Sequence, residues 1–509
     1  MATALDERIK AVLALEPDKG AFEFKGAWHS WRNVAATIEK IETLLSEAGL
    51  GAGAPVGILL RNRPAHVAAI LQVLASKRCV VALNPFQSPA KIAADLAKLE
   101  LPALIADDED WRIGELHEAA VTSGTLGISI SSTVGLKVSI VEGLDKLHDG
   151  RSYAPALPDV CILMLTSGTT GPAKRIQLPY KNFERSLFDA VHYESRNGGE
   201  ELKLKDSAAL LATPLVHIGG MYAAVLAIVG ARPLAILEKF NVEEWAKAVQ
   251  TYKPRTVMLP PTAIRMILDA KVAPEMLCSL LAIRTGSSPL DPAMAEEFEQ
   301  TYSCPVLDTY GATEFAGAVA GWTLRDYKAF GKDKRGSVGR AQPGCELRVV
   351  DLESGKPLTS SICGLLEVKS AQIDSKTWLR TTDLAELDAD GFLFIRGRAD
   401  DAIIRGGFKI LPREVESRFR EHPSVAEVCV VGLPDARLGA VPVVAVQLRD
   451  HAEPITGAEL LSFAREQLVS YQVPVDLKFV KVMPRTPSLK VSQHEVKAMF
   501  VHAAQETKL

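Results

Sequence analysis

Short apolar runs alternate with helix-period stretches along most of the chain. Residues 56–60 form one such run, followed by a helical pattern over 64–77 and a second run over 79–83. The same order recurs at 256–259 with 262–269, and at 280–284 with 292–302 and 306–309. Alternation of this kind predicts α/β layers with largely parallel sheets. Ligands of such layers bind in the loops beyond the carboxyl ends of strands. Near residue 397 the pattern changes. Charges cluster over 396–405, a Pro-started helical pattern covers 412–421, and apolar runs follow at 425–431 and 443–448. A further helix over 457–468 precedes a last run at 479–482. These predict a small, separate α+β domain over 400–509, after a large domain over 1–399, and a very short joint between them.

Two segments bear on location. Residues 1–15 carry Asp6, Glu7, Arg8 and Lys10 within an apolar pattern, which predicts an amphipathic helix and not a secretory signal. Residues 207–231 hold no Asp, Glu, Lys or Arg and are long enough to cross a bilayer. Pro214, His217, Gly219 and Gly220 interrupt that stretch, so it predicts a buried strand over 208–213, a loop, and a buried helix from Met221.

Composition narrows the function. The 509 residues exceed one core, and 47% hydrophobic with 24% charged is ordinary globular usage. A formal net charge of −4 gives no general attraction to nucleic acid or an anionic membrane, so anionic ligands need locally placed basic groups. The seven cysteines are dispersed, without a CxxC pair, which indicates neither a disulfide framework nor a zinc site. A reducing cytoplasm is the expected setting.

The strongest local signal follows the apolar run 160–165. Thr166-Ser167-Gly168-Thr169-Thr170-Gly171 offers hydroxyl donors and two glycines for close backbone approach, and Lys174 adds a positive charge. That combination suits a polyphosphate. It is not the GxxxxGK[ST] loop, since no glycine directly precedes Lys174.

The order of these residues resembles the phosphate-loop signature of the adenylate-forming superfamily, which includes acyl-CoA synthetases, peptide-synthetase adenylation domains and beetle luciferases. Further motifs resemble that family in sequence order. They are Tyr310-Gly311-Ala312-Thr313-Glu314, Thr381-Thr382-Asp383 (with Thr382 in place of glycine), Gly397-Arg398-Ala399-Asp400-Asp401, Gly406-Gly407, and Pro484-Arg485-Thr486-Pro487-Ser488-Leu489-Lys490. Two departures stand out. Leu489 replaces a glycine before the lysine, and Ala173 and Arg175 replace the proline and glycine at the exit of the phosphate loop.

The resemblance implies an enzyme that joins a carboxylic acid to AMP using ATP and Mg²⁺, releases pyrophosphate, and passes the acyl group to a thiol such as that of CoA. It implies that residues 166–171 and Lys174 hold the β- and γ-phosphates, that Thr313 contacts the α-phosphate, and that Glu314 holds Mg²⁺. A hard cation prefers carboxylate oxygen, so the chemistry agrees. Gly286, Ser287 and Ser288 would form one adenine wall, with Asp308, Thr309 and Tyr310 opposite. Asp383 would accept from the ribose hydroxyls, as an acceptor-only carboxylate can, and Arg398 would donate to the ribose. Lys490 would bridge the attacking carboxylate and the α-phosphate. Asp400 would be the pivot of a mobile C-terminal domain, and Gly406 and Gly407 would line the CoA passage.

The acid is expected near His217, which would close over the carboxylate. Ile218, Gly219 and Met221 would form the pocket, with Gly220 leaving further room and Gly311, Ala316 and Gly317 opposite. No charged side chain lies in 207–231 to pair with a polar tail, which favours an apolar acid, aromatic or alicyclic first and fatty second. Alternatives are an enzyme loading a separate carrier protein and an inactive binding descendant. The expected partners are a small carboxylic acid and CoA, with no nucleic acid, no membrane span, and a homodimer admitted.

Overall fold

The computed structural model describes residues 4–166, 174–194, 202–315, 317–370, 373–450, 452–486 and 490–506. The fold grows from strands that are apolar on both faces. Pro55–Leu59, Cys79–Leu83 and Ala103–Asp107 are buried at every position, as expected for parallel strands covered by helices on both sides. With Leu126–Ser131 and Val160–Thr166 they form the parallel interior of a sheet ordered 137–140, 126–131, 103–107, 55–59, 79–83, 160–166 and 174–179. Both edge strands, Lys137–Ile140 and Lys174–Pro179, run antiparallel. Pro64–Ala75 begins with proline in its first turn and is buried from Pro64 to Leu74. A helix apolar all round belongs inside, and proline is tolerated where no intrahelical N–H is needed.

Chain compactness divides the molecule into two units. The first comprises Met1–Thr166 and Ala173–Asp333 with Ser370–Ser375; the second is carried chiefly by Lys334–Lys369 and Lys376–Leu509. The first unit holds two more sheets. In one, Thr256–Met258, Ala282–Thr285 and Val306–Ala312 run parallel, and Gly317–Gly321 folds back on the last of them. In the other, Ala209–Leu211, Leu234–Ile236 and Gly20–Phe24 are parallel, with Ala27–Ser30 antiparallel at the edge. The N-terminal helix Leu5–Ala14 buries Leu5, Ile9, Val12 and Leu13, the spacing of one helical face.

The uncharged stretch 207–231 becomes the short strand Ala209–Leu211, a turn, and the helix Ile218–Val229. The helix starts three residues before Met221. Its two glycines sit in the first turn, where tertiary packing outweighs their low propensity. Among the described residues no helix is long and apolar enough to cross a membrane.

The second unit carries most of a sheet ordered Cys345–Val350, Gly364–Ser370, Asp374–Leu387 and Leu393–Arg398, whose last two strands pair antiparallel. It also contains a smaller layered body in which Val425–Asp435 and Gly439–Leu448 pair along their length and Asp476–Val480 adds in parallel. Helix Pro412–Arg420 covers one face through Val415 and Phe419. Helix Gln493–Glu506 covers the other through Val496 and Phe500. The compact second unit is thus larger than residues 400–509. Compactness says where contacts concentrate, not where the chain pivots.

Candidate functional site

The strand Val160–Thr166 and its antiparallel partner Lys174–Pro179 form a hairpin closed by the pair Thr166–Lys174. The expected phosphate residues Ser167, Gly168, Thr169, Thr170 and Gly171 lie outside the described residues, as do the side chains of Thr166 and Lys174. Arg175, a departure from the resembled motif, is taken up locally. Its Nη1 donates to the Ala82 carbonyl at 3.1 Å and its guanidinium pairs with Asp95. The returning strand packs against the 3₁₀ turn Thr313–Phe315. Segments about 140 residues apart in sequence therefore meet, and Glu314 is exposed on the turn. The Thr313 side chain and Ala316 lie outside the described residues.

The two expected adenine segments are brought together. Thr285 pairs with Asp308 in the parallel ladder, so Gly286 falls beside Thr309. A Cβ on Gly286 would stand 2.7 Å from Thr309 Oγ1 and 2.9 Å from its carbonyl oxygen. The glycine is required by that close approach. Thr309 Oγ1 donates to the Thr285 carbonyl at 2.7 Å, tying the strand ends together. Ser287 has φ 70°, a left-handed conformation uncommon outside glycine, and is exposed, while Ser288 is half-buried. Asp308 is 9% exposed and its Oδ1 accepts from Thr309 N–H at 2.9 Å. Tyr310 is half-buried, its ring 6.1 Å from that of Phe315.

His217 is the N-cap residue of Ile218–Val229, in extended conformation and half-buried. The two neighbouring glycines differ in purpose. A Cβ on Gly219 meets nothing within 4 Å, whereas one on Gly220 would lie 2.2 Å from the Pro214 carbonyl oxygen and 2.7 Å from that of Thr213. Gly219 borders open space; Gly220 lets the helix seat on its own approach turn, so its role is packing and not room for a ligand. Met221 is fully buried in the main core, while Ile218 and Gly219 keep accessible surface. The helix contacts the strand Gly317–Gly321, which pairs with Val306–Ala312 through Gly311–Ala318 and Ala312–Gly317. A Cβ on Gly311 would come within 2.5 Å of the Gly317 carbonyl oxygen. The structure thus brings the helix that follows His217 against the strand that pairs with 306–312.

One residue of this neighbourhood escapes sequence reasoning. Asn62, 4% exposed, accepts from Leu215 N–H at 2.8 Å through Oδ1 and donates from Nδ2 to the carbonyls of Thr213 (3.0 Å) and Leu237 (3.2 Å). It stands beyond Pro55–Leu59, where the sheet order reverses direction between 103–107 and 79–83. From there it clamps the turn that leads to His217. Its only sequence signal is a polar Arg-Asn-Arg after an apolar run and before the Pro64 helix start. Asn62→Ala leaves one buried and two part-buried backbone groups without that partner and is expected to cost about 1–3 kcal/mol, read as a lower denaturation midpoint. An unchanged midpoint would show that the turn holds itself.

In the second unit, Asp383 stands directly across from Arg398 in the antiparallel ladder, and paired residues share a face. Arg398 forms a two-point ion pair with Asp400, Nε to Oδ1 at 2.9 Å and Nη2 to Oδ2 at 2.7 Å. Lys490 closes a narrow hairpin. Arg485 bridges Val491, and the Lys490 carbonyl accepts from Thr486 N–H at 2.8 Å. Leu489 lies outside the described residues. Burial, and then the positive charge of Arg398, lower the pKa of the Lys490 ammonium. Gly406 (φ 57°) and Gly407 (φ 89°) are the two turn residues between Ile403–Arg405 and Phe408–Ile410. Two positive φ values are what a two-residue primed hairpin turn needs.

Comparison with known proteins agrees with this layout. The model of the AMP-binding enzyme family matches residues 9–374, and that of the AMP-binding enzyme C-terminal domain matches 414–490. A 2-succinylbenzoate–CoA ligase of Bacillus pumilus is 27% identical over 95% of both chains. A long-chain-fatty-acid–CoA ligase of Bacillus subtilis is 26% identical over 93% of this chain and 90% of its own. Among solved structures, ATP-bound MatB from Rhodopseudomonas palustris superposes with a TM-score of 0.82 at 23% identity, covering 98% of this chain and 99% of that one. The anthranilate CoA ligase AuaEII in complex with anthranoyl-AMP gives 0.80 at 20%, covering 99% and 98%. With a family model spanning most of its length and the fold shared throughout, the chain belongs to the AMP-binding enzyme family.

Proposed function

We propose that this member of the family is an ATP-dependent carboxylic acid:CoA ligase acting on an aromatic or alicyclic acid. The observation that carries the proposal is the packing of the strand leaving the phosphate-loop segment against the turn that bears Glu314. Phosphoryl chemistry needs phosphate donors and a metal-holding carboxylate in one place.

In the first step a carboxylate oxygen attacks the α-phosphorus of ATP, the bond to the β-phosphate oxygen breaks, and pyrophosphate leaves. In the second, the CoA sulfur attacks the acyl carbon of the mixed anhydride, AMP leaves, and the thiol proton goes to solvent. Residues 166–171 and Lys174 cradle the phosphates, and Thr313 meets the α-phosphate. Gly286–Ser288 and Asp308–Tyr310 enclose adenine, while Asp383 and Arg398 take the ribose. Lys490 orients the carboxylate and stabilises charge at the α-phosphate; His217 closes over the acid. Ile218, Gly219, Gly311, Ala316 and Gly317 line the acyl pocket, and Met221 backs it from the core. Asp400 is the pivot, and the Gly406–Gly407 turn borders the pantetheine path.

Mg²⁺ commonly uses one or two carboxylates and completes its shell with water and phosphate oxygen. A single exposed Glu314 fits that requirement, and bound Mg²⁺ would offset phosphate charge. No two of the seven cysteines form a disulfide, and Cys79, Cys161, Cys304 and Cys429 are buried, which supports a reducing, cytoplasmic setting.

Support for an aromatic or alicyclic acid is the uncharged pocket segment together with a 2-succinylbenzoate–CoA ligase among the relatives. The long-chain-fatty-acid–CoA ligase relative favours a fatty acid as the second reading. CoA consumption with ATP across matched panels of aromatic, alicyclic and fatty acids tests the assignment. Turnover is expected with the first two panels. Turnover with fatty acids alone would replace the substrate class. Adenylation that consumes no CoA, but loads a phosphopantetheinylated protein, would replace the acceptor.

A further inference from the structure

Arg398 is expected to meet the nucleotide ribose, yet one edge of its guanidinium is already engaged by protein. Nε and Nη2 reach the two Asp400 oxygens, and Nη2 spends its second proton on Thr382 Oγ1 at 2.8 Å. A guanidinium carries five N–H donors in a rigid plane. Three are used, one on Nε and two on Nη2, which among the described residues leaves the two of Nη1 for a ligand. The Asp400 fork fixes the guanidinium only relative to a carboxylate two residues along the same chain segment. Thr382 supplies a second anchor on a different strand. It lies within Asp374–Leu387, next to Asp383, and its own carbonyl accepts Ala399 N–H at 2.7 Å. The preceding residue reinforces the strand: Thr381 Oγ1 donates to the Leu366 carbonyl at 2.9 Å and accepts Asp383 N–H at 3.0 Å. The hydroxyl therefore ties the guanidinium plane to the same backbone that carries Asp383.

We propose that Thr382 is a positioning residue for nucleotide binding, locking the Arg398 guanidinium against Asp400 so that its Nη1 edge faces the ribose hydroxyls beside Asp383. The inference deepens the proposed function and rests on the assignment of Asp383 and Arg398 to the ribose. A glycine, which the resembled motif carries here, offers no such hydroxyl, so this chain has added a contact at that point.

The test uses the full-length protein and acid-dependent pyrophosphate exchange, with ATP and with 2′,3′-dideoxy-ATP as nucleotides. Thr382→Val removes the hydroxyl while keeping a β-branched shape suited to a strand. It is expected to raise the KM for ATP roughly three- to tenfold, with KM for the acid and the melting temperature unchanged. With the dideoxy nucleotide the variant and the wild type should converge, because the ribose hydroxyls are gone. Thr382→Ser is expected to restore wild-type KM. An unchanged KM for ATP, an equal penalty with both nucleotides, or failure of serine to rescue would each overturn the proposal while leaving the ribose assignment standing. Wild-type protein that shows no preference for ATP over the dideoxy nucleotide would overturn the ribose assignment itself, and the role of Thr382 with it.

Discussion

Lys490→Ala is expected to lower acid-dependent adenylation about a hundred- to a thousandfold, the scale on which removing one aimed charge from a transition state acts, and to leave thioester formation from preformed acyl-AMP largely intact. The lysine is placed by a hairpin whose strands pair at Arg485 and Val491, so its truncation changes charge more than structure. The environment of the ammonium adds a second expectation. Burial and the Arg398 charge hold its pKa below the ordinary 10.5. A lysine whose folded pKa lies under its unfolded value makes folding work against the charged form. That cost is full below the folded pKa and disappears as pH rises to the unfolded one. At neutral pH, Lys490→Met should therefore melt at or above the wild-type temperature while losing adenylation. In the wild type, exchange should decline on the alkaline side at a lower pH than an ordinary lysine would dictate. A pH–rate profile flat to about 10.4, or equal loss of both half-reactions in Lys490→Ala, would remove Lys490 from this role.

Gly220→Ala and Gly219→Ala, adjacent and chemically identical changes, separate sharply. At Gly220 the new methyl would sit 2.2 Å from the Pro214 carbonyl oxygen, with backbone on the opposing side and no flexible side chain to yield. The helix or its approach turn must move, at an overpacking cost of about 1–3 kcal/mol or more, and His217, which caps the helix, moves with it. Reduced stability and strongly reduced acid-dependent turnover are expected together. At Gly219 the methyl meets nothing within 4 Å. Alanine also suits a helix better than glycine by about 0.5–1 kcal/mol, so stability should hold or rise while the preference among acids shifts toward smaller ones. Equal behaviour of the two variants, by denaturation midpoint and acid panel, would refute this division of labour.

The same two positions show how far the sequence could be read. An uncharged stretch broken by Pro214 and paired glycines is legible as strand, turn and helix. Which glycine faces space and which faces a carbonyl is set by packing across the turn, and both look alike in one dimension. The strands at 55–59 and 79–83 were legible because burial on both faces leaves continuous apolar runs. The sheet built on 345–398 left no such trace. Asp374–Leu387 mixes Lys376, Arg380 and Asp383 with apolar positions, because parts of it face water. The pairing of Asp383 with Arg398, and the grip of Thr382 on that arginine, depend on register between strands. Asn62 was hidden for a related reason: all three of its partners are backbone groups distant in sequence, and a clamp of that kind carries no motif.

The most direct test of the account is acid-dependent exchange of labelled pyrophosphate into ATP by the wild-type protein with Mg²⁺ and no CoA. Label is expected to enter ATP only when a suitable carboxylic acid is present, because the first half-reaction is complete without the thiol. Adding CoA is then expected to convert the trapped acyl-AMP to thioester and AMP. ATP binding with no exchange across aromatic, alicyclic and fatty acids would contradict it and leave a nucleotide-binding protein without the chemistry.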